Sequence, residues 1–346
     1  MLSRRPMSQN PTRSTRPLDL ASDLDRVGEI MAAAFPEELA RRRTTVSALT
    51  RPLRLAMPFL RIAARMSLYV KHRMAGAVSL EGDSIASVVL MKPMGHDTSR
   101  WYIGPIATDP DLRRKGHGSA ALRCAIALAR THGARFCLLD VRTDNDAAIG
   151  LYEGLGFRRY DGWDLLEAAP GPAADGPLLS DGYRIVRCPA RWHRVRFRIA
   201  VDEVSQEHIA LDPPSPDEFR IGLLERAIVR VQLRAAGTQM TRRLVEYRGK
   251  PVGWFGVRRN RTGQHTFTVH VARSHAEALA DPLVGLALER LAAGPALPIQ
   301  TRVGWGTPEA LAACKRRGFR LVESNVRLGL DVSDRVSEDD CALRKP

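Results

Sequence analysis

One segment, LRRKGHGSAAL at residues 112–122, restricts the fold of this chain more than any other. It follows a strand-like run that ends at residues 106–108 and a polar turn at residues 109–110, and it leads into a helix-like run. Successive backbone N–H groups of such a turn face one concavity, and a helix N-terminus adds partial positive charge. Glycines at positions 116 and 118 let an anion approach the main chain closely. The segment therefore predicts a phosphate-binding turn between a strand and a helix.

The glycine pattern on its own has two other interpretations. Turns before helices are often rich in glycine without binding any ligand. Gly116-x-Gly118-x-x-Ala121, followed by Asp140, also fits the dinucleotide-binding pattern of an NAD(P)-dependent oxidoreductase. That pattern needs an apolar strand running directly into the first glycine, whereas residues 109–115 are polar and broken by proline. The oxidoreductase interpretation is therefore the least favoured.

A second motif follows after one intervening strand, LLDV. It reads Asn145-x-x-Ala148-x-x-Leu151-Tyr152-x-x-x-Gly156-Phe157. Together with Arg113-x-x-Gly116-x-Gly118, it resembles the GNAT superfamily of N-acetyltransferases over roughly residues 18–188. The resemblance implies that the anion is the pyrophosphate of an acyl-CoA, with acetyl-CoA as the expected co-substrate. It also implies transfer of the acyl group to an amine, which the sequence leaves open between a protein N-terminus, a lysine and a small molecule.

The same resemblance implies where the coenzyme binds. Main-chain N–H groups at the strand end would face the thioester carbonyl, and the glycine turn would hold the pyrophosphate. Asn145 would touch the coenzyme arm, although an asparagine there is also a helix N-cap. The expected coenzyme-binding residues are Ile106, Ala107, Thr108, Arg113, Arg114, Lys115, Gly116, His117, Gly118, Ser119 and Asn145.

Two residues are the candidates for catalytic proton transfer. Tyr152 shares a helical face with apolar residues, and a phenol can protonate the leaving thiolate; the alternative is a tyrosine that only packs. Asp140 lies where the resemblance places a carboxylate, and a partly buried carboxylate with a raised pKa can accept the proton of the amine. The alternative for Asp140 is an ion pair with an arginine, and Glu81 is a competing base.

The second half of the chain repeats the order of the first. An offset of 162 residues (307 − 145) aligns Asn145 with Thr307 and Tyr152 with Cys314, and both short helices end in Gly-Phe. The second copy lacks the Arg-x-x-Gly-x-Gly pattern, so we expect it to keep the fold and to have lost the coenzyme site.

The predicted fold class is therefore α/β with mixed sheets, as tandem GNAT-like domains in which a mostly antiparallel sheet is flanked by helices. The predicted domains are a disordered basic tail at 1–16, a catalytic domain at 17–188, a degenerate domain at 189–334 and a C-terminal tail at 335–346.

A formal net charge of +15 suits nucleic acid, an acidic surface or an anionic ligand. The basic residues are nearly all arginine and are not interleaved with aromatics as a single-strand binder requires. A nucleic-acid partner is therefore an alternative that we do not favour, as is a non-catalytic acyl-CoA sensor. A helix-like segment at residues 41–66 is expected to pack on its own domain rather than on a membrane surface.

Several classes of protein are disfavoured by what the sequence lacks. No apolar run approaches the roughly 20 residues of a membrane span. The five scattered cysteines contain no CxxC pair and the nine histidines no metal spacing, so we expect no metal site and a reducing, cytoplasmic location without disulfides. A homo-oligomer is compatible with this sequence, which does not specify the oligomeric state.

Overall fold

The computed structural model describes residues 13–36, 75–94, 98–171, 179–188, 192–219, 229, 231, 233–234 and 236–333. The chain divides into two compact units. The first consists of Met1–Leu139 and Leu330–Pro346, and the second of Asp140–Gly329. These boundaries differ from the predicted domains. The segment 41–66 and the tail at 335–346 lie outside the described residues, as does part of the Pro/Gly-rich loop around residue 175.

The first unit is a sheet with mostly antiparallel pairing, in the order β1-β2-β3-β4-β5. β4 and β5 are its parallel pair. The strands are β1 (Arg13–Pro17), β2 (Ala75–Glu81), β3 (Ser84–Pro93), β4 (Arg100–Thr108) and β5 (Phe136–Arg142), the last of which extends into the second unit. The helices are α1 (Leu20–Ala34) and α2 (His117–Thr131), with a 3₁₀ turn at Pro110–Leu112 before α2.

Apolar periodicity explains how both helices pack. Val27 and Ile30 of α1 are buried against Val78 and Val88 of the sheet, as their helical spacing predicts. The predicted inner face of α2 is also confirmed, since Leu122, Ala125, Ile126 and Ala129 are all buried.

Residues 13–16 are a correction to the sequence analysis, which assigned them to a disordered tail. They form most of β1, which pairs antiparallel with β2 in the register Arg13↔Glu81 to Pro17↔Ala77. The sequence RSTRP lacks the apolar alternation of a half-buried strand, so periodicity could not identify it. Cys124 is a second correction, because it is disulfide-bonded, whereas Cys137, Cys188 and Cys314 are free thiols.

The second unit contains a sheet in the order β12-β6-β11-β10-β9-β8-β7. Its pairing is antiparallel except between β10 and β11. The strands are β6 (Arg158–Ala168), β7 (Tyr183–Arg187), β8 (Gln239–Tyr247), β9 (Lys250–Arg259), β10 (His265–Val271), β11 (Ile299–Gly304) and β12 (Arg320–Asp331). The helices are α3 (Asp146–Gly154), α4 (Trp192–Glu203), α5 (Gln206–Leu211), α6 (Ala276–Ala292) and α7 (Pro308–Arg316).

The internal repeat is visible in the element bounds. α3 and α7 begin at Asp146 and Pro308 and end at Gly154 and Arg316, so both ends show the 162-residue offset (308 − 146 and 316 − 154). One strand of the first copy pairs with strands of the second. β6 belongs to the first copy in sequence, yet it pairs with β11 on one edge and with β12 on the other. This pairing explains why the compact units cross the predicted domain boundary.

The close approach of β2 to β3 generates a stability prediction. A Cβ at Gly76 would lie 2.6 Å from the carbonyl oxygen of Val89, whereas one at Gly150 in α3 would meet nothing within 4 Å. We expect Gly76→Ala to lower the free energy of unfolding by about 1–3 kcal/mol through overpacking. Gly150→Ala should raise it by up to about 1 kcal/mol, because alanine is the better helix former. Urea unfolding of both variants measures the difference, and equal stabilities would contradict the described packing.

Candidate functional site

The two central strands of the first unit pair over only part of their length. The β4–β5 register runs from Arg100↔Phe136 to Tyr102↔Leu138 and stops there. Residues 106–108, beyond that point, pair with β3. In the register described, this end of β4 therefore keeps one edge free of strand pairing, where an extended ligand arm could pair with its main-chain groups.

A turn with two positive φ angles leads from β4 towards α2. The φ angle is 61° at Arg114 and 82° at Gly116. Gly116 is the N-cap of α2 and has no side chain with which to cap it, so the first N–H groups of the helix are available to an anion. A Cβ at Gly116 would lie 2.4 Å from Nη1 of Arg13. Residues 113–119 therefore fit a phosphate group that must approach the main chain.

Arg13 is a basic residue at this turn that the sequence analysis missed. Its Nη1 donates a hydrogen bond to the carbonyl oxygen of Lys115 at 2.9 Å. The residue comes to the turn through the pairing of β1 with β2, which no local pattern indicates.

His117 has its side chain turned away from the turn. The ring is 2% exposed, with Nδ1 2.9 Å from Oγ of Ser79 and Nε2 2.5 Å from Oε2 of Glu81. Only the main chain of His117 can therefore contribute to a phosphate site. The same contact engages Glu81 with the imidazole, which argues against Glu81 as the base for an incoming amine.

In the second unit, α3 carries Asn145 and Tyr152. Oδ1 of Asn145 accepts a hydrogen bond from the N–H of Ala148 at 3.2 Å, so its N-cap role is confirmed, while contact with a coenzyme stays a prediction. Tyr152 is buried, and burial raises the pKa of its phenol to about 12. Within the part of the chain that the structure describes, its hydroxyl has no hydrogen-bond partner and is available to a ligand.

Asp140 lies on β5 and is held by two side chains. Nε1 of Trp163 donates to Oδ2 at 3.2 Å, and Nε of Arg327 lies 3.5 Å from Oδ1. Burial raises the pKa of Asp140 above its ordinary value, although the charge of Arg327 and the hydrogen bond from Trp163 oppose the shift. Asp140 therefore has the arginine partner expected of a structural ion pair. It also has the raised pKa expected of a catalytic base.

A network of charged and polar side chains continues from Arg327. Nη1 of Arg327 lies 3.8 Å from Oδ2 of Asp161, which Nδ1 of His208 contacts at 2.7 Å. Nε2 of His208 lies 3.6 Å from Oδ2 of Asp212, which also accepts a hydrogen bond from Tyr160 at 3.1 Å. The sequence analysis missed this network, because His208 is 47 residues from Asp161 and no short motif links them.

In the second copy, carboxylates occupy main-chain donors at the end of β10 and just after it. The N–H of Val271, at the end of β10, donates to Oε1 of Glu203 at 2.7 Å. The N–H of Arg273 donates to Oδ2 of Asp202 at 2.7 Å. By the 162-residue offset these two donors align with Asp109 and Asp111 (271 − 162 and 273 − 162), just before the glycine turn of the first copy. Cys314, at the position of Tyr152, is buried, and burial raises the pKa of its thiol to about 12.

A cavity of about 750 Å³ lies within the second unit. β10 and β11 pair only from His265↔Ile299 to Phe267↔Thr301, and the cavity opens where they separate. It reaches α3 at Ile149, one turn from Tyr152. Its other lining residues include Trp163, Glu203, His270, Arg302 and Arg327.

Two absences hold for the described residues. They contain no group of three or more histidine, cysteine, aspartate or glutamate side chains placed to hold a metal ion. Among the helices in those ranges, none has the length and apolar character of a membrane-spanning helix.

The model of the acetyltransferase (GNAT) family matches residues 40–157 of this chain. One curated relative is N-alpha-acetyltransferase 30 of Schizosaccharomyces pombe, 32% identical over 85 residues, or 24% of this chain and 57% of that protein. Another is the [ribosomal protein bS18]-alanine N-acetyltransferase of Salmonella typhimurium, 48% identical over 52 residues, or 15% of this chain and 35% of that protein. The match thus spans little more than half of the first relative and about a third of the second.

Solved structures extend the likeness of fold to most of the chain. A tandem GNAT protein from the clavulanic acid biosynthesis pathway has a TM-score of 0.56 at 14% identity, covering 94% of this chain and all of that one. A GCN5-related N-acetyltransferase from Sphaerobacter thermophilus has a TM-score of 0.53 at 16% identity, covering 92% and 95%. The predicted fold class, a mixed α/β tandem GNAT-like fold, is confirmed.

Asp140 and Asp161 have opposite pKa shifts, which predicts opposite effects of removing their charges. Asp140 has a raised pKa, so its ionisation lowers stability as pH rises from the ordinary value of 3.8 through the folded value. Burial alone would raise the pKa of Asp161. The hydrogen bond from His208 and those from its other donors outweigh burial, so the pKa is lowered. The stability that ionised Asp161 contributes is therefore present above its ordinary pKa and is lost as pH falls through the lower pKa that it has in the folded protein.

At pH 7 we therefore expect Asp140→Asn to raise the free energy of unfolding. Asp161→Asn should lower it by about 1–3 kcal/mol, because His208 loses a charged partner. The loss in Asp161→Asn should shrink as pH falls below 4. Chemical unfolding of both variants at pH 7 and at about pH 3 checks the signs, and a stabilised Asp161→Asn at pH 7 would contradict the network.

Proposed function

We propose that the protein is an N-acetyltransferase that moves an acetyl group from acetyl-CoA to an amine by direct attack in a ternary complex. The observation that carries the proposal is the glycine turn between an incompletely paired strand and an uncapped helix, inside the segment that the family model matches. The names of the relatives support an α-amine as acceptor. Protein N-termini and other α-amines are therefore the first acceptors to test, followed by lysine side chains and other small amines.

The reaction needs one proton removed and one supplied. Acetyl-CoA supplies the thioester, whose C–S bond breaks as the amine nitrogen bonds to the carbonyl carbon. Asp140 takes the proton that the amine loses, directly or through water, for which its raised pKa suits it. Tyr152 gives its phenolic proton to the departing sulfur and recovers one from solvent. Main-chain N–H groups at Ala107 or Thr108 stabilise the developing charge on the carbonyl oxygen.

We further propose that only the first copy binds coenzyme. The second copy lacks the Arg-x-x-Gly-x-Gly pattern, which supports this view, and the carboxylates of Asp202 and Glu203 beside the end of β10 would repel an anion there. Cys314 in place of Tyr152 removes the proposed acid.

Coenzyme binding is the first test. We expect acetyl-CoA at about 100 times its Kd to stabilise the protein by roughly 2.7 kcal/mol, and NADP to have no effect. Gly118→Asp should abolish the shift, because a carboxylate at the start of α2 repels the pyrophosphate. Thermal unfolding with each ligand measures this.

The matched control is Gly150→Asp, which adds the same charge at an exposed glycine of α3 and should keep the shift. A shift with NADP and none with acetyl-CoA would show that the glycine turn serves a dinucleotide and would remove the roles proposed for Asp140 and Tyr152.

Removing the Tyr152 hydroxyl tests the proposed acid. We expect Tyr152→Phe to lower kcat by about 10²-fold or more with unchanged binding of acetyl-CoA. With a phenol pKa of about 12, the wild type should show no alkaline loss of kcat attributable to Tyr152 below about pH 10. Steady-state CoA release is the measurement, and Tyr102→Phe is the control. An unchanged kcat would favour a non-catalytic acyl-CoA sensor or a purely packing role.

A further inference from the structure

The cavity of the second unit has a distinctive balance of charge. Most of its ionisable side chains are paired: Arg159 with Glu153, His270 with Glu203, and Arg327 with Asp140 and Asp161. Among the described residues that line it, Arg302 and Glu207 have no ion-pair partner. Both side chains are exposed and free of ion pairs, so they are available to a ligand, while the charge of Arg302 acts on Asp140 and opposes the rise of its pKa.

Arg302 is held in a defined position without a carboxylate. Its guanidinium carbon lies 4.3 Å from the centroid of the Trp163 ring, a cation–π contact that leaves its N–H donors exposed. The same indole donates its Nε1 proton to Asp140. One aromatic side chain thus joins the proposed base to a free guanidinium.

Arg302 also marks a change between the two copies. The 162-residue offset aligns Asp140 with Arg302 (302 − 140), so the position of the proposed base in the first copy carries a cation in the second. The neighbouring main-chain donors are already occupied by Glu203 and Asp202. These two features make the cavity unsuited to a second coenzyme and suited to a smaller ligand.

We propose that this cavity binds the acceptor, and that the acceptor is a zwitterion: an amino acid, or a small molecule like one, with a carboxylate close to its amine. The proposal rests on the proposed function. The carboxylate pairs with Arg302, whose planar donors match it in a bidentate manner. The amine lies towards Asp140, with Glu207 as the second anionic group. Arg302 is then a specificity-determining residue that binds the carboxylate of the acceptor and takes no part in proton transfer.

The test compares amino acids with their carboxamides, a pair that differs only in the charge that Arg302 would recognise. Binding to the full-length protein is measured by calorimetry in the presence of CoA, and acetylation is measured by CoA release. We expect at least one amino acid to bind about 10-fold or more tightly than its amide, the size of one charge-assisted interaction.

The variants assign that preference to Arg302. Arg302→Gln should raise the KM for the amino acid by about 10-fold with little change in kcat. The same variant should leave the KM for the carboxamide unchanged. Arg302→Lys should restore part of the preference. Arg320→Gln, which removes an exposed arginine of β12 outside the cavity, should change neither substrate.

Equal use of acids and amides, a preference that survives in Arg302→Gln, or no binding of any amino acid at millimolar concentration would overturn the proposal. Efficient acetylation of amide-capped peptides instead would identify a protein N-terminus as the acceptor and leave the proposed function standing. Absence of acetyl-CoA binding would refute the proposed function, whereas the calorimetric preference reports on the cavity by itself.

Discussion

The pairing of β6 with β11 and β12 is the constraint on which the second unit depends. β6 comes from the first sequence repeat and forms ladders with strands of the second on both edges. These ladders satisfy the main-chain groups of β6, which would be costly to leave unpaired inside a protein. They also bring Trp163 opposite Gly304 and Asp161 opposite Arg327. The polar network and the cavity are consequences of that register.

The polar network is stable because nearly every charge in it has a partner. Asp161 is contacted by His208 and faces Arg327, and Asp212 accepts a hydrogen bond from Tyr160. A buried charge without such partners would be neutralised by a pKa shift or would destabilise the fold. Arg302 differs from these groups, because it is exposed and has no ion pair, so its guanidinium is available to a ligand. Arg302 carries the inference about the acceptor for that reason.

The two copies show how one arrangement of strand and helix gains or loses an anion site. In the first copy, glycine at the N-cap leaves the helix N–H groups uncovered. In the second, the copy's own α4 places Glu203 on the N–H of Val271. The helix α6 of the second copy also begins without a side-chain cap, at His275, so the copies differ in the glycine pattern and at the strand end rather than in capping. Internal carboxylates hold the main chain at the strand end of the second copy, and the missing Arg-x-x-Gly-x-Gly pattern accounts for the proposed loss of coenzyme binding.

The sequence by itself determined the features that depend on neighbouring residues. The glycine turn, the apolar faces of α1 and α2 and the Asn145 cap arise from short-range spacing, which is why they could be predicted. The 162-residue repeat could also be found by aligning the two halves of the sequence.

Only the tertiary structure decided the partners of the site. Asp161 meets His208 across 47 residues, and Glu203 meets Val271 across 68. The strand β1 was missed for the same reason, since its place follows from pairing rather than from its own composition. Hydrogen bonds and ion pairs between distant residues are selected by strand register and helix packing, and a one-dimensional pattern does not contain them.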